Sequence, residues 1–393
     1  MSRDFRYQYK EKLLWYPQNY QLVQYNREIN GCDSIADYMD MDSSRNGLIA
    51  VHVGAGQHSL TLKEKYEKLC CVACKKAAGV LKSGGNVLDA VVEATIILEN
   101  SPLTNAGYGS NLTIDGKVEC DASVMDGSTL QFGAVGAVGG IKNPVAAANL
   151  LCNQQSGNLT HGRIFPSFLV GDGAQLWGKE KGLETTSVED LISVKALKIY
   201  KHYKRKVLSC ENIQKQIAKK MDTVGAICVD TDGNVASACS SGGIILKHPG
   251  RVGQAAVWGC GVWARNARSY LDCSVASSTS GCGEHLISAT LARSIAEGIL
   301  SSDCPTTALH NVMKNDFIES PFLKGLDQKL GGTIAIKYSP QQFLGDLLWS
   351  HSTKSMIIGY MNTREAKPKS RMSVLTSPEV GRKAVVEGVG FRI

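Results

Sequence analysis

Asp222-Thr223-Val224-Gly225-Ala226-Ile227-Cys228-Val229-Asp230, then Thr231-Asp232-Gly233-Asn234, then Val235-Ala236-Ser237-Ala238-Cys239-Ser240-Ser241-Gly242-Gly243, reads as strand, turn and strand. Pairing across the Asp232-Gly233 turn would bring Ser241 beside Thr223. A threonine hydroxyl is a poor nucleophile at neutral pH. A threonine that begins a chain has its own α-amine, with a pKa of about 7.7–8.0, to serve as general base. Cutting the Asp222–Thr223 bond would supply that amine. Taken alone, the four residues Asp222 to Gly225 also fit a loop entering a buried strand, so the reading depends on what surrounds them.

Outward from this hairpin, strands and helices come in groups rather than in strict alternation. Leu48-Ile49-Ala50-Val51-His52-Val53 is an apolar run entering the tight turn Gly54-Ala55-Gly56. Helices are expected over about 61–82 and from the capping residue Asn86 onward, a hairpin around Ile114-Asp115-Gly116, and a strand over Phe132 to Val138. Pro144 opens a helix through Leu151, and Phe168-Leu169-Val170-Gly171 reads as a strand. Helices follow at about 283–299 and 306–316, with strands at 332–338, 355–361 and 384–389. This grouping favours an α+β layered architecture. Residues 1–46 read as an extension before one domain over 47–393, and the stretch 180–222 as a flexible, cleavable linker.

Composition excludes several classes. The start Met1-Ser2-Arg3-Asp4-Phe5-Arg6 lacks the apolar core of a secretory signal, and no apolar run approaches a membrane span, so a soluble intracellular protein is expected. The 13 cysteines are odd in number, and several sit in apolar runs, which fits a reducing compartment. Cys70-Cys71-Val72-Ala73-Cys74 falls on or beside a helical apolar stripe with no matching Cys/His pair nearby, so no metal is expected. The formal charge of +7 is concentrated between Lys195 and Lys220. Such a run can be a solvated face, a patch for acidic partners or a nuclear import signal.

Three further elements can carry chemistry. The Ser241-Gly242-Gly243 turn offers a hydroxyl to the Thr223 Oγ and lets backbone approach a substrate. Arg251, in a glycine-flanked loop, has the planar fork that clamps a carboxylate, although it could equally be a surface arginine. Ser280-Gly281-Cys282-Gly283-Glu284 ends a strand and opens a helix, a junction able to hold an oxyanion.

These residues carry a resemblance. From about Leu48 to Ile393 the chain resembles the N-terminal-nucleophile asparaginase family, and within it most closely the threonine aspartases (taspases). The match rests on His52-Val53-Gly54-Ala55-Gly56, Thr104-Asn105-Ala106-Gly107-Tyr108-Gly109-Ser110, Cys120-Asp121-Ala122-Ser123 through Gly127, Asp222-Thr223-Val224-Gly225, Ser241-Gly242-Gly243, Gly250-Arg251-Val252-Gly253 and Ser280-Gly281-Cys282-Gly283-Glu284. The resemblance implies a four-layer αββα sandwich, self-cleavage into an α subunit 1–222 and a β subunit 223–393, and assembly of αβ units into a heterotetramer. It implies Thr223 as nucleophile, Asn105 and Ser241 beside it, Ser280 and Gly281 supporting the oxyanion, and Arg251, Gln254 and Gly283 binding substrate. No metal or organic cofactor is implied.

Serines stand at 241 and 280 where small-molecule asparaginases of the family have threonines. Gln254 stands where they have an aspartate that pairs with the substrate's free α-ammonium. A neutral amide there suits an aspartate whose nitrogen is already in a peptide bond. The expectation that follows is a threonine endopeptidase cutting after aspartate, with Arg251 gripping the P1 side chain and Asp222 serving as the first P1 residue. The alternative is an asparaginase or isoaspartyl dipeptidase acting on small β-amides. The resemblance further implies protein substrates among nuclear transcription regulators and a nuclear and cytoplasmic location; neither direct nucleic-acid binding nor membrane association is expected.

Overall fold

The computed structural model describes residues 45–155, 157, 159–209, 222–269 and 271–393. The extension expected over 1–46 falls outside the described residues except for its last two positions, as do Lys215, Lys219 and Lys220 of the basic run. Ser43–Ile393 forms one compact unit.

Its first sheet has eight strands: β1 (Gly47–Gly56), β2 (Cys120–Asp126), β3 (Phe132–Val138), β4 (Phe168–Val170), β5 (Val224–Asp230), β6 (Val235–Ser241), β11 (Ser355–Asn362) and β12 (Lys369–Val374). They lie side by side in the order β12-β11-β1-β5-β6-β2-β3-β4. The second sheet has the order β13-β10-β9-β8-β7, from β7 (Val262–Arg265), β8 (Ser274–Gly281), β9 (Gly331–Ser339), β10 (Leu344–His351) and β13 (Val385–Arg392). Helices α1 (Lys63–Lys82), α2 (Val87–Glu99) and α3 (Pro144–Gln154) cover the first sheet. The second is covered by α7 (Leu291–Leu300) and α8 (Pro305–Asn311), with the short α6 (Gly283–Ser288) at the end of β8.

Side-chain alternation builds the layers, because successive residues of a strand face opposite sides. On β1, Ile49, Val51 and Val53 pack toward the helices, while Leu48 and Ala50 join the layer between the sheets. On β5, Val224, Ala226 and Cys228 take the helix side and Ile227 and Val229 the inter-sheet side. In the second sheet, Ile334, Ile336, Leu347 and Trp349 face inward, and Ala335 and Leu348 face α6 to α8. Three apolar layers separate four layers of secondary structure, which is the αββα sandwich. Strands buried on both faces explain why the apolar runs are nearly continuous rather than alternating.

Two expectations need correction. The stretch 180–222 is not a featureless linker: α5 (Val194–Leu208) crosses it, capped by Ser193, whose hydroxyl accepts from the Ala196 amide at 3.1 Å. Ala196 and Tyr203 are buried, while Lys195 and Lys204 donate to the carbonyls of Leu103 and Ile114. Lysine density hid a helix whose apolar face is narrow. The helix expected over 283–299 is two helices, because Thr290 adopts φ 42°, a left-handed conformation that an α-helix cannot continue.

Candidate active site

The ends of several strands converge on one edge of the sandwich. β5 begins there, and its antiparallel neighbour β1 ends there. β6 ends there at Ser241, β2 begins beside it with Asp121 opposite Ser241, and from the other sheet β8 ends at Gly281. The β5–β6 register pairs Val224 with Ser240, so Thr223 falls opposite Ser241, as the hairpin reading requires. Thr223 Oγ1 donates to Ser241 Oγ at 3.0 Å, and Ser241 Oγ also accepts from the Gly243 amide at 3.0 Å. Gln254 Nε2 donates to Thr223 Oγ1 at 3.0 Å. The Thr223 hydroxyl proton is thereby aimed at Ser241 and one of its lone pairs at a neutral amide donor, which fixes the Oγ1 direction and would favour negative charge developing on it. All three side chains are buried.

Asn105 holds the turn after Ser241. Its Nδ2 donates to the Gly243 carbonyl at 2.8 Å, and its own carbonyl receives the Gly242 amide at 2.8 Å. Asn111 reinforces the same carbonyl through Nδ2 at 2.9 Å. Asp121 ties this region to the arginine loop by accepting from the amides of Gly253 and Ala137, both at 2.8 Å. Burial raises the Asp121 pKa, against the pull of the Lys247 charge and those two amides. Behind Ser241, its neighbour Ser240 donates to Glu99 at 2.6 Å, and Glu99 also accepts from the Val145 amide and Asn143. Burial pushes the Glu99 carboxyl up to about 7, partly opposed by those three donors.

Asn105, Thr223, Ser241, Arg251, Gln254, Gly281 and Gly283 line one cavity of about 10 Å³. A cavity needs roughly 10–15 Å³ to hold one water, so with the Asp222–Thr223 bond intact this one has room for about a single water. Ser280 also has a structural partner: its hydroxyl accepts from the Ala55 amide at 2.8 Å and secures the end of β1. Gly281 remains at the cavity wall, with φ +139°, and a Cβ there would press within 2.6 Å of the Leu330 carbonyl oxygen. Arg251 is engaged by Glu284, whose Oε1 accepts from both Nε at 2.9 Å and Nη2 at 2.7 Å. Burial opposes ionisation of Glu284, but the guanidinium holds its pKa below the ordinary carboxylate value.

The other side of the Asp222–Thr223 bond is held by Gly54, part of the HVGAG motif, and by His58, which sequence reasoning missed. Gly54 has φ +115°, and a Cβ on it would lie 2.6 Å from Asp222 Cα, so only glycine lets β1 pass here. His58 sits in the turn that follows. Ser355 Oγ accepts from the His58 amide at 3.0 Å and lies 3.0 Å from Nδ1. Nε2 then faces the Val53 carbonyl at 3.4 Å and Asp222 Oδ1 at 3.6 Å, and the ring packs edge-on against Tyr66. His52, at 3.0 Å from Ser278 Oγ, is neutral: burial lowers its pKa to about 3, only partly offset by a hydrogen bond with the Thr223 backbone. The HVGAG motif pointed toward this turn, but nothing local to His58 indicates Ser355 or Asp222 as its neighbours.

A family model described as asparaginase matches residues 45–369. An isoaspartyl peptidase/L-asparaginase of Rattus norvegicus is 36% identical over 294 residues, covering 74% of this chain and 80% of that protein. The isoaspartyl peptidase of Escherichia coli is 37% identical over 257 residues, 63% and 75% of the two chains. The Homo sapiens isoaspartyl peptidase/L-asparaginase is 37% identical over 253 residues, again 63% and 75%. These relatives overturn the expectation of an endopeptidase cutting after aspartate and favour its alternative. In the structure Asp222 lies against His58 and Arg251 pairs with Glu284, so the chain's own aspartate does not sit on Arg251 as a P1 residue.

Proposed function

The chain belongs to the asparaginase family of N-terminal-nucleophile hydrolases, and on that premise we propose that it hydrolyses β-aspartyl amide bonds of small substrates, L-asparagine and β-aspartyl dipeptides. The observation that carries this reading is the placement of Thr223 Oγ1 between Ser241 and Gln254, in a small cavity that also holds Arg251. The enzyme matures by cutting itself. Thr223 Oγ1 attacks the Asp222 carbonyl carbon, the C–N bond breaks with acyl transfer to oxygen, and water hydrolyses the ester to leave residues 1–222 and an amino-terminal Thr223.

In turnover the freed amine takes the Oγ1 proton as the hydroxyl attacks the substrate's β-carbonyl. The same proton then passes to the departing amine or ammonia. Water hydrolyses the aspartyl ester and releases aspartate. Arg251 receives the substrate α-carboxylate. Gln254 works from both ends of its amide: Nε2 steers Oγ1, and Oε1, which lies on the Gly283 side, accepts from the substrate α-ammonium. Where the family has an aspartate, this chain thus offers hydrogen bonding without a countercharge.

Incubation of purified protein with L-asparagine, a β-aspartyl dipeptide and an internal Asp-Gly peptide tests the reading. Release of ammonia or of the dipeptide's second residue is expected, and turnover of the internal peptide alone would refute it. Intact mass should report two fragments meeting at Asp222 and Thr223. Arg251→Ala should raise KM for both small substrates by about tenfold to a hundredfold, the worth of a charge-assisted hydrogen-bonded pair.

A further inference from the structure

The guanidinium of Arg251 is surrounded by glycine. A Cβ at Gly243 would lie 2.9 Å from Nη1, at Gly253 2.7 Å from Nη1, and at Gly283 2.6 Å from Nη2. Gly243 and Gly283 both line the cavity with Arg251. These close approaches pack glycine backbone directly against the guanidinium, where any side chain would collide with it. A planar guanidinium can bind a carboxylate along either of two edges, Nε with Nη2 or Nη1 with Nη2. Glu284 closes the first edge with a single oxygen, Oε1. Its other oxygen accepts from Cys282 Sγ at 3.6 Å. Glu284 lies outside the cavity, and its side chain is 55% exposed against 15% for Arg251.

We propose that Glu284 is a positioning residue: it fixes the Nε–Nη2 edge of Arg251 so that the Nη1–Nη2 edge faces the cavity and meets the substrate carboxylate end-on. The inference rests on Arg251 being the carboxylate receiver. An ion pair this exposed to water adds little to stability, so its effect falls on the direction of the guanidinium. Pre-setting that direction removes an ordering step from substrate binding. Glu284 also remains a potential rival of the substrate for the same cation, and the two roles predict opposite changes in KM.

The test measures KM and kcat for a β-aspartyl dipeptide, and the inhibition constant of L-aspartate, for matured wild type, Glu284→Gln and Glu284→Ala. For the alanine variant KM and the inhibition constant should rise together by about tenfold, with the change carried by KM rather than kcat. Glutamine keeps an oxygen able to accept from Nε and Nη2, so it should fall between the two. An alanine variant with KM at or below the wild-type value overturns the proposal, a fall marking Glu284 as a competitor. If the alanine variant does not fold, Glu284→Asp, one methylene too short to span the same gap, should show the rise, and its absence overturns the proposal equally. A wild type that neither turns over the dipeptide nor is bound by L-aspartate would instead refute the parent reading, and this inference with it.

Discussion

On the Thr223 side of the scissile bond, the polar contacts are short and made by strand register: Ser241 at 3.0 Å from the β5–β6 pairing, and Gln254 at 3.0 Å from the loop that Asp121 anchors. On the Asp222 side, one facing group is His58, at 3.6 Å, from the turn after β1, and the Asp222 side chain is 23% exposed. The difference teaches which half has to be permanent. On the proposed mechanism Thr223 would be locked because it works in every turnover, whereas Asp222 would need its place only until the bond is cut.

Thr223→Ala should have the largest effect. It should leave a single intact band on a denaturing gel and remove roughly a thousandfold or more of hydrolysis; a cut persisting at the same bond would break the nucleophile assignment. Ser241→Ala should slow both maturation and turnover by about a hundredfold, through loss of the hydroxyl that orients Oγ1. Equal rates in wild type and variant would show that register alone suffices.

Glu99 extends the locked side inward. Its folded-state pKa of about 7 lies above the ordinary 4.5, so the folded state holds its proton more tightly than the unfolded chain does. Stability from this group is therefore full below the ordinary value and is lost as pH rises through about 7, by at most about 3 kcal/mol. Glu99→Gln should flatten the dependence of Tm on pH between 5 and 8, and an unchanged slope would remove Glu99 as its source. His58→Ala should have the smallest effect and the most asymmetric one. Maturation followed by gel should slow by about tenfold, with a lesser change in kcat of the fully cut enzyme. Equal slowing of both would erase the contrast between the two sides.

Much of the locked side was legible in the sequence, because a two-strand hairpin with an Asp-Gly turn sets its own register, and Ser241 could be placed opposite Thr223 from the count of residues alone. The burial pattern of β1 and β5 was likewise visible as apolar runs. The other side was not legible. His58 is defined by Ser355, 297 positions away, and the Gln254 contact with Thr223 depends on a loop positioned by Asp121 from another strand. Lys369–Val374 escaped notice as β12 because an edge strand with one covered face can carry Lys, Ser and Arg. The contact of Ser280 with the Ala55 amide, 225 positions away in the other sheet, was not legible either.

The order of strands in the larger sheet has a consequence for the cut protein. β1 is inserted between β11 and β5, and β6 borders β2, so the pieces before and after Asp222 are woven through one another. The layer under α6 to α8 comes wholly from the later piece, but the other two draw on both, so severing the bond would release nothing: the halves could part only by tearing ladders out of the sheet. Before the cut, refolding is a unimolecular event, whereas afterwards it requires two chains to meet and becomes dependent on concentration. Self-processing would convert a protein that can refold alone into one that folds reliably only once.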